Sequence, residues 1–493
     1  MNLALLSHEW FVLALGLGLL LADLWLPASA RRKLGYAAAL GLGAILLYSL
    51  LAVHVAPDEV QYAFGKMYAL DGLALFFKRF FLLAALIVLL MSVEFADRIQ
   101  SGIAEYYALI LFALAGMLFA SSANDFSLLF VSLELITVTF YVLTSFQRAQ
   151  LASLEAGVKY LIIGALSTAF TVFGIALVYG ISGKLNFGEL APIAGQFGTN
   201  KIFLFGLLLV MVGLGFKIAA FPFQIWAPDV YQGAPSPTTA FLAVGSKAAG
   251  FVLLLRVLFI AVPDITAQWS NLLIVISAVT ILYGNLCAIP QHNLKRLLGY
   301  SSIAHAGYML LGVAAMAAEM AHKARHPSAG GSAILYYLSG YLFTVLGAFT
   351  VICLVMRRVE GEEISALAGL NQRSPLLAAT LTLAMVSLAG IPPLAGFFGK
   401  FLLLKSILAQ APAHPGYYCL AFTALAGVVI SLYYYFGVVR AIYWSEEAPD
   451  LSAIPLSVPI RLSIYGCMAG IFFLGLFPGW MVNLAEEAVK VLP

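Results

Sequence analysis

GLGFKIAAFPFQIWAPDVYQ, residues 213–232, sets a lysine and two prolines inside a run otherwise built for lipid. Lys217 stands five residues before Pro222, with Pro228 beyond. Proline removes a backbone donor and clashes with the preceding turn, so the freed carbonyls must face protein or water rather than lipid. The stretch reads as a membrane helix that breaks beside an ionisable group. Such interruptions mark pathways through membrane proteins.

The rest of the chain agrees. Of its 493 residues 62% are hydrophobic and 10% charged, against roughly 25% charged in a soluble domain. Apolar runs recur throughout with no long polar block between them, so one membrane domain, 1–493, is expected. The first run, Trp10 to Leu26, is too long for a signal-peptide core and lacks a basic stretch before it, which makes it a retained helix. A net charge of +3 reflects loop lysines and arginines and gives no basic face for nucleic acid. Cys287, Cys353, Cys419 and Cys467 are far apart, without a Cys/His cluster. No iron-sulfur, haem or zinc site is legible, and no Gly-rich phosphate loop offers a place for NADH. The expectation is a chain without a redox cofactor or metal of its own.

At about 20 residues per crossing, about fourteen spans are expected: 9–26, 35–55, 72–93, 103–121, 125–145, 155–180, 202–225, 237–261, 271–289, 297–317, 332–356, 376–410, 417–440 and 460–483. The twelfth is too long for one straight helix and contains Gly390-Ile391-Pro392-Pro393, a second break. Breaks five spans apart fit two repeats of opposite topology. The expected fold is thus an all-α polytopic membrane protein with about fourteen transmembrane helices, two inverted five-helix repeats, and broken helices 7 and 12. Helices 1–3 occupy 1–100, the repeats 101–265 and 266–442, and helix 14 the remainder, 443–493. Lys217 does not fall opposite Lys400 on this alignment, so the breaks repeat and the charges do not. Arg31, Arg32, Lys33, Arg98, Arg148, Lys295, Arg296, Arg357, Arg358, Arg373 and Arg440 share one side of the membrane; Lys66, Lys184, Lys201, Lys323, Arg325 and Lys490 share the other. By the positive-inside rule both termini face outward.

Four ionisable residues lie deep in spans. Glu134, in NDFSLLFVSLELITVTFYVL (124–143), sits about 14 Å past a helix start that Asn124 or Asp125 can cap. Lys247 lies about 15 Å beyond Pro237. Lys217 precedes the first break, and Lys400 follows the second. A charge at the bilayer centre costs about 3 kcal/mol, so such groups face the protein interior and pair. The chemistry that fits is proton relay. A lysine with a reference pKa of about 10.4 exchanges near neutral pH only if its environment disfavours the ammonium by about 4 kcal/mol. Desolvation supplies that, and a nearby carboxylate opposes it. A Glu134–Lys217 pair of changing separation is therefore a switch, with Lys247 taking the proton centrally and Lys400 passing it outward or receiving it back. The competing reading for each is a static ion pair that fixes packing.

Other residues keep two readings. Lys159 is a relay member or snorkels to the interface; Glu105, starting span 4, is equally ambiguous; His305 shuttles protons or packs against a serine. Tyr300, Lys295 and the serines beside them line the same path. Lys78, Arg79 and Arg256, near span ends, are read as snorkelling.

FKIAAFPFQIWAPDVYQGAPSPTTAFLAVGSKAAG (216–250), QHNLKRLLGYSSIAHAGYMLLG (291–312) and LAGIPPLAGFFGKFLLLKSIL (388–408) resemble the subunit N family of bacterial NADH:quinone oxidoreductase, respiratory complex I. The resemblance covers nearly the whole chain. It implies a fourteen-helix antiporter-like subunit that moves protons in a bacterial inner membrane, beside other antiporter-like membrane subunits and lipid. It also implies that FMN, iron-sulfur clusters and quinone belong to partner subunits. Glu134, Lys217, Lys247 and Lys400 match the family's lysines and glutamate of helices 5, 7, 8 and 12; Lys159, His305 and Glu105 match positions thought to connect them. Gln224 stands where some members carry histidine, and it cannot titrate. The alternative is a subunit of a cation/proton antiporter or membrane-bound hydrogenase, which shares the glutamate and the helix-7 lysine.

Overall fold

A computed structural model describes residues 3–27, 30–56, 59–321, 328–357, 361–444 and 452–492. Lys323, Arg325 and Arg358 of the charge count above lie outside the described residues. Helices run in the order α1 (Ser7–Asp23), α2 (Arg31–Leu51), α3 (Gly72–Phe95), α4 (Ile103–Ser121), α5 (Phe126–Thr144), α6 (Leu151–Ser182), α7a (Lys201–Ile218), α7b (Trp226–Gly233) and α8 (Ser236–Ala261). They continue as α9 (Ser270–Ala288), α10 (Leu294–Ala321), α11 (Ser328–Met356), α12a (Pro375–Ala389), α12b (Ala395–Gln410), α13 (Gly416–Trp444) and α14 (Val458–Leu476). Thirteen helices among the described residues are long and apolar enough to cross a membrane. The two pieces of α12 make the fourteenth crossing. On that count the helices α1 and α14 begin and end the run of crossings on one side, here called the terminal face.

Lipid offers backbone groups no partners, so helix ends must be satisfied internally. Asp71 caps α3 by accepting from Ala74 N at 2.7 Å, and Asp125 caps α5 by accepting from Ser127 N at 2.7 Å. The repeats match in their packing. α4 lies on α5 and α5 on α6, as α9 lies on α10 and α10 on α11; α6 touches both halves of α7, as α11 touches both halves of α12. Nearly all of α8 and α10 is buried, whereas α6, α13 and α14 show apolar side chains on the outside, where lipid would meet them.

Two boundaries and one added element differ from expectation. Span 7 was expected to reach 225 with its break at Pro222, but α7a stops earlier, at Ile218, because Ala219 adopts a left-handed conformation (φ 58°) and Ala220 N closes back onto Gly215 O. Span 14 was expected to reach 483; α14 ends at Leu476, and a separate helix, Pro478–Val489, begins at a proline suited to a first helical turn. A short antiparallel pair, Gln61–Ala63 with Tyr68–Leu70, precedes α3 and was not foreseen.

Candidate functional site

α5 places Glu134 and Thr137 one turn apart, facing α6 and α7a. Glu134 Oε1 accepts from Thr168 Oγ1 of α6 at 2.7 Å, and Lys217 Nζ donates to Thr137 Oγ1 at 3.0 Å. Both border one cavity of about 20 Å³, shared with Ser167 and Thr171. That is room for about one water. Among the described residues no ion pair joins Glu134 to Lys217; each holds a threonine instead. Lys217 lies in the last turn of α7a, where the helix dipole favours a cation.

Against the stem of Lys217 lies Gly250 of α8, where a Cβ would stand 3.3 Å from Lys217 Cβ and Cγ. One turn back, Lys247 follows a π-helical segment, Leu242–Ser246. Such wide turns cluster at functional sites. Lys247 Nζ donates to the carbonyl and hydroxyl of Ser302 on α10 and stands 5.7 Å from the Tyr341 ring centre. The Ser302 hydroxyl also meets Tyr231 at 3.0 Å and Tyr341 at 3.1 Å.

His305, one turn along α10 from Ser302, bonds Tyr337 through Nδ1 at 2.5 Å and Tyr435 through Nε2 at 3.0 Å. Tyr435 in turn bonds Ser301. The ring of Tyr308, 6.0 Å from that of His305, lies 4.9 Å from Lys400 Nζ. Lys400 donates to Leu388 O at 2.7 Å and Ala389 O at 3.1 Å, the carbonyls that end α12a. Hydroxyls and rings thus join the groups from Lys247 to Lys400, while Lys217 and Lys247 approach each other across Gly250 of α8.

Lys217, Lys247 and Lys400 are only 3%, 2% and 5% exposed, yet among the described residues none touches a carboxylate. Other buried cations in the same molecule do. Lys78 is paired with Glu9, and Arg256 holds both oxygens of Asp71 at 2.8 and 2.9 Å, all four residues being buried. These pairs overturn the reading of Lys78 and Arg256 as snorkelling residues. Their carboxylates lie at the edge of, or just before, spans 1 and 3, and only folding brings them to the cations. Arg79 does reach a helix end, donating to Ser49 O and Val53 O at 2.8 Å.

The remaining candidates gather elsewhere. Lys159 pairs with Glu155 at 2.6 Å and Asp229 at 2.7 Å, and Asp229 also holds Arg296. Lys295 pairs with Glu362 at 2.6 Å and donates to Ala234 O at 2.8 Å. It lines a crevice of about 270 Å³ with Gln232 and Ser236. Glu105 borders a separate crevice with Arg98 and Arg148, and Tyr300 turns its ring to Arg296, 5.8 Å away. Among the described residues none of these four bonds to the array, whereas His305 lies in it. Pro222, Pro392 and Pro393 occupy the two breaks, with cis bonds at Phe221–Pro222 and Pro392–Pro393. Among the described residues no group of His, Cys, Asp and Glu is arranged to hold a metal. Sequence reasoning did not single out Thr137, Thr168 or the tyrosines of the array, which look like packing residues. It also passed over Asp229, although that residue stands beside Pro228 in the broken span.

The family model for transmembrane subunits of NADH:quinone oxidoreductase and Mrp antiporters matches residues 123–428. The chain is 39% identical to NADH-quinone oxidoreductase subunit N of Trichlorobacter lovleyi, over 100% of this chain and 98% of the relative. It is 37% identical to the protein of that name from Desulforamulus reducens, over 99% and 98%. Of solved structures, a chain of respiratory complex I from Thermus thermophilus with bound aureothin is similar at a TM-score of 0.79 and 33% identity, covering 97% of this chain and 99% of that one. A chain of the Mrp complex from Dietzia shares the fold at a TM-score of 0.82 and 20% identity, covering 100% and 98%.

Proposed function

The chain belongs to the family of membrane-spanning NADH:quinone oxidoreductase and Mrp antiporter subunits, and on that premise we propose that it moves protons through its buried array. Electron transfer from NADH to quinone takes place in partner subunits, which hold the FMN, iron-sulfur clusters and quinone. Neighbouring antiporter-like subunits flank this one in a bacterial inner membrane. The terminal face is the outer one, since the more basic connections lie opposite it.

The observation that carries this reading is that, among the described residues, three buried lysines lack a counter-ion while Lys78 and Arg256 each have one. A permanent unpaired ammonium in such surroundings costs several kcal/mol, and an amine that gives up its proton does not. Lys217, Lys247 and Lys400 are therefore proton carriers rather than packing charges. Glu134 and Lys217 share a cavity wide enough for one bridging water. When the carboxylate moves toward the lysine, it holds the ammonium; when it withdraws to Thr168, the proton is free to pass on. Ser302, Tyr341 and His305 connect Lys247 toward Lys400 through groups that both donate and accept.

The test is Lys217→Met in the intact complex, reconstituted in vesicles with NADH and quinone. A complex that assembles, oxidises NADH and moves fewer protons per electron is expected; an assembled variant that pumps normally sinks the proposal. Tagging the chain in its native membrane tests the partners. Recovery with flavin and iron-sulfur subunits is expected, and companions limited to antiporter-like chains would point to a cation/proton antiporter.

A further inference from the structure

Beside the array, a groove of about 620 Å³ runs between α2, α3, α11, α14 and the helix Pro478–Val489. Its walls are apolar, with Phe80, Leu83, Leu342 and Phe473 among them. The volume falls within the few-hundred to about 1,000 Å³ of sites for small organic ligands. Two charged residues line the same groove, Arg79 and Glu487.

Their placement sets the depth of the polar end. Arg79 is seven residues into α3, about 10 Å from its start. Its guanidinium turns toward the terminal face, to the carbonyls of Ser49 and Val53 where α2 finishes. Glu487 sits on the helix Pro478–Val489, whose backbone packs against the first residue of α3: a Cβ on Gly72 would lie 3.5 Å from Glu487 O. Trp480, 58% exposed, opens the same helix at the groove. Indole rings favour the level of lipid headgroups.

Among the described residues Arg79 has no carboxylate partner and Glu487 has no partner at all for its carboxylate. Arg79 is half-buried and Glu487 exposed at the rim of the groove, and among the described residues no ion pair joins them. These two border one groove unpaired, as two halves of a dipolar headgroup require. We propose that this groove binds one zwitterionic glycerophospholipid of the ethanolamine class, its phosphate on Arg79, its ammonium at Glu487 and its acyl chains along Phe80, Leu83 and Phe473. The apolar walls accept acyl chains of any lipid, so the arginine's charge-assisted bonds to phosphate and the carboxylate's to an ammonium supply the preference. A neutral isoprenoid tail would use the walls and leave both charges idle. A phosphatidylglycerol would meet Arg79 but set no cation against Glu487.

The experiment places the intact complex in bilayers of phosphatidylethanolamine and phosphatidylglycerol in equal amounts, with a trace of phosphatidylethanolamine bearing a diazirine on one acyl chain. After illumination, labelled peptides are mapped by mass spectrometry. Labelling is expected on the segments holding Leu83 and Phe473. It should fall about tenfold in Arg79→Gln, the loss expected for a charge-assisted bond, and as far in Leu83→Trp, which fills the groove. The same photolabel on phosphatidylglycerol should react several-fold less, and Glu487→Gln should remove that preference. Equal labelling by the two headgroups in the unaltered complex overturns the proposal, as does an unlabelled groove or one crosslinked to another subunit's helix. If Leu83→Trp does not assemble, Arg79→Gln and the headgroup comparison decide.

Discussion

The two broken helices solve one problem in opposite ways. In α7 the lysine precedes the break: Lys217 belongs to the last turn of α7a and donates to Thr137, a hydroxyl on another helix. In α12 the lysine follows it: Lys400 starts from α12b and reaches back to the carbonyls of Leu388 and Ala389 that end α12a. Both amines therefore stand near the negative end of a half-helix dipole. The backbone at each break differs too, since the left-handed residue is Ala219 in one and Gly390 in the other. The repeat thus conserves where an ammonium is stabilised and not the residue position that supplies it, which explains why the sequence alignment matched breaks without matching charges.

The largest expected effect comes from removing each amine. Lys400→Met leaves two buried carbonyls without a donor, at about 1–3 kcal/mol for each unsatisfied group. Lys217→Met takes a donor from Thr137, whose own hydroxyl still donates to Leu133 O at 2.6 Å. A loss nearer 1 kcal/mol is expected there. Thermal unfolding of the two purified complexes should show the larger drop for Lys400→Met, while both lose coupled proton transport. Equal drops would mean that Lys400 does not cap α12a in the membrane, and the contrast would collapse.

Gly390→Ala should have the next effect. At φ 88° a side chain is strained by about 1–2 kcal/mol, and the added Cβ would stand 3.0 Å from Lys400 Cδ. A lowered unfolding temperature with weakened pumping is expected. Unfolding that is unchanged would show that the α12 break tolerates alanine as the α7 break does, and that glycine there has another purpose.

What the sequence disclosed follows from what is local. Apolar runs located the spans, several ends falling within a residue or two, as in α4 and α5, because hydrophobic length is a property of consecutive residues. The prolines disclosed both breaks for the same reason. Ala219 could not be foreseen as the residue that ends α7a, since alanine is a strong helix former and its left-handed turn is imposed by packing. Likewise Lys78 and Arg256 looked like residues reaching for the interface until folding brought Glu9 and Asp71 to them. The lysines of the array were found because charge in an apolar run stands out. Their hydroxyl partners were not, since Tyr337, Tyr341 and Tyr435 read as ordinary aromatic core.

The smallest expected effect sharpens the comparison most. Ala219→Gly gives the α7 break the residue that the α12 break already has. Glycine adopts φ 58° without the steric cost that alanine bears, about 1–2 kcal/mol. It also loses more freedom on folding, about 0.4–1 kcal/mol. The net is a gain of between about 0 and 1.6 kcal/mol, a rise of a degree or so in unfolding temperature. If pumping is unchanged, Ala219 only terminates α7a, and the two breaks are interchangeable in backbone and distinct in charge. If pumping falls while stability rises, the stiffness of Ala219 is part of what holds Lys217 away from Glu134. The α7 break would then be the moving part of the relay, and the α12 break, with its lysine tied to two carbonyls, the fixed one.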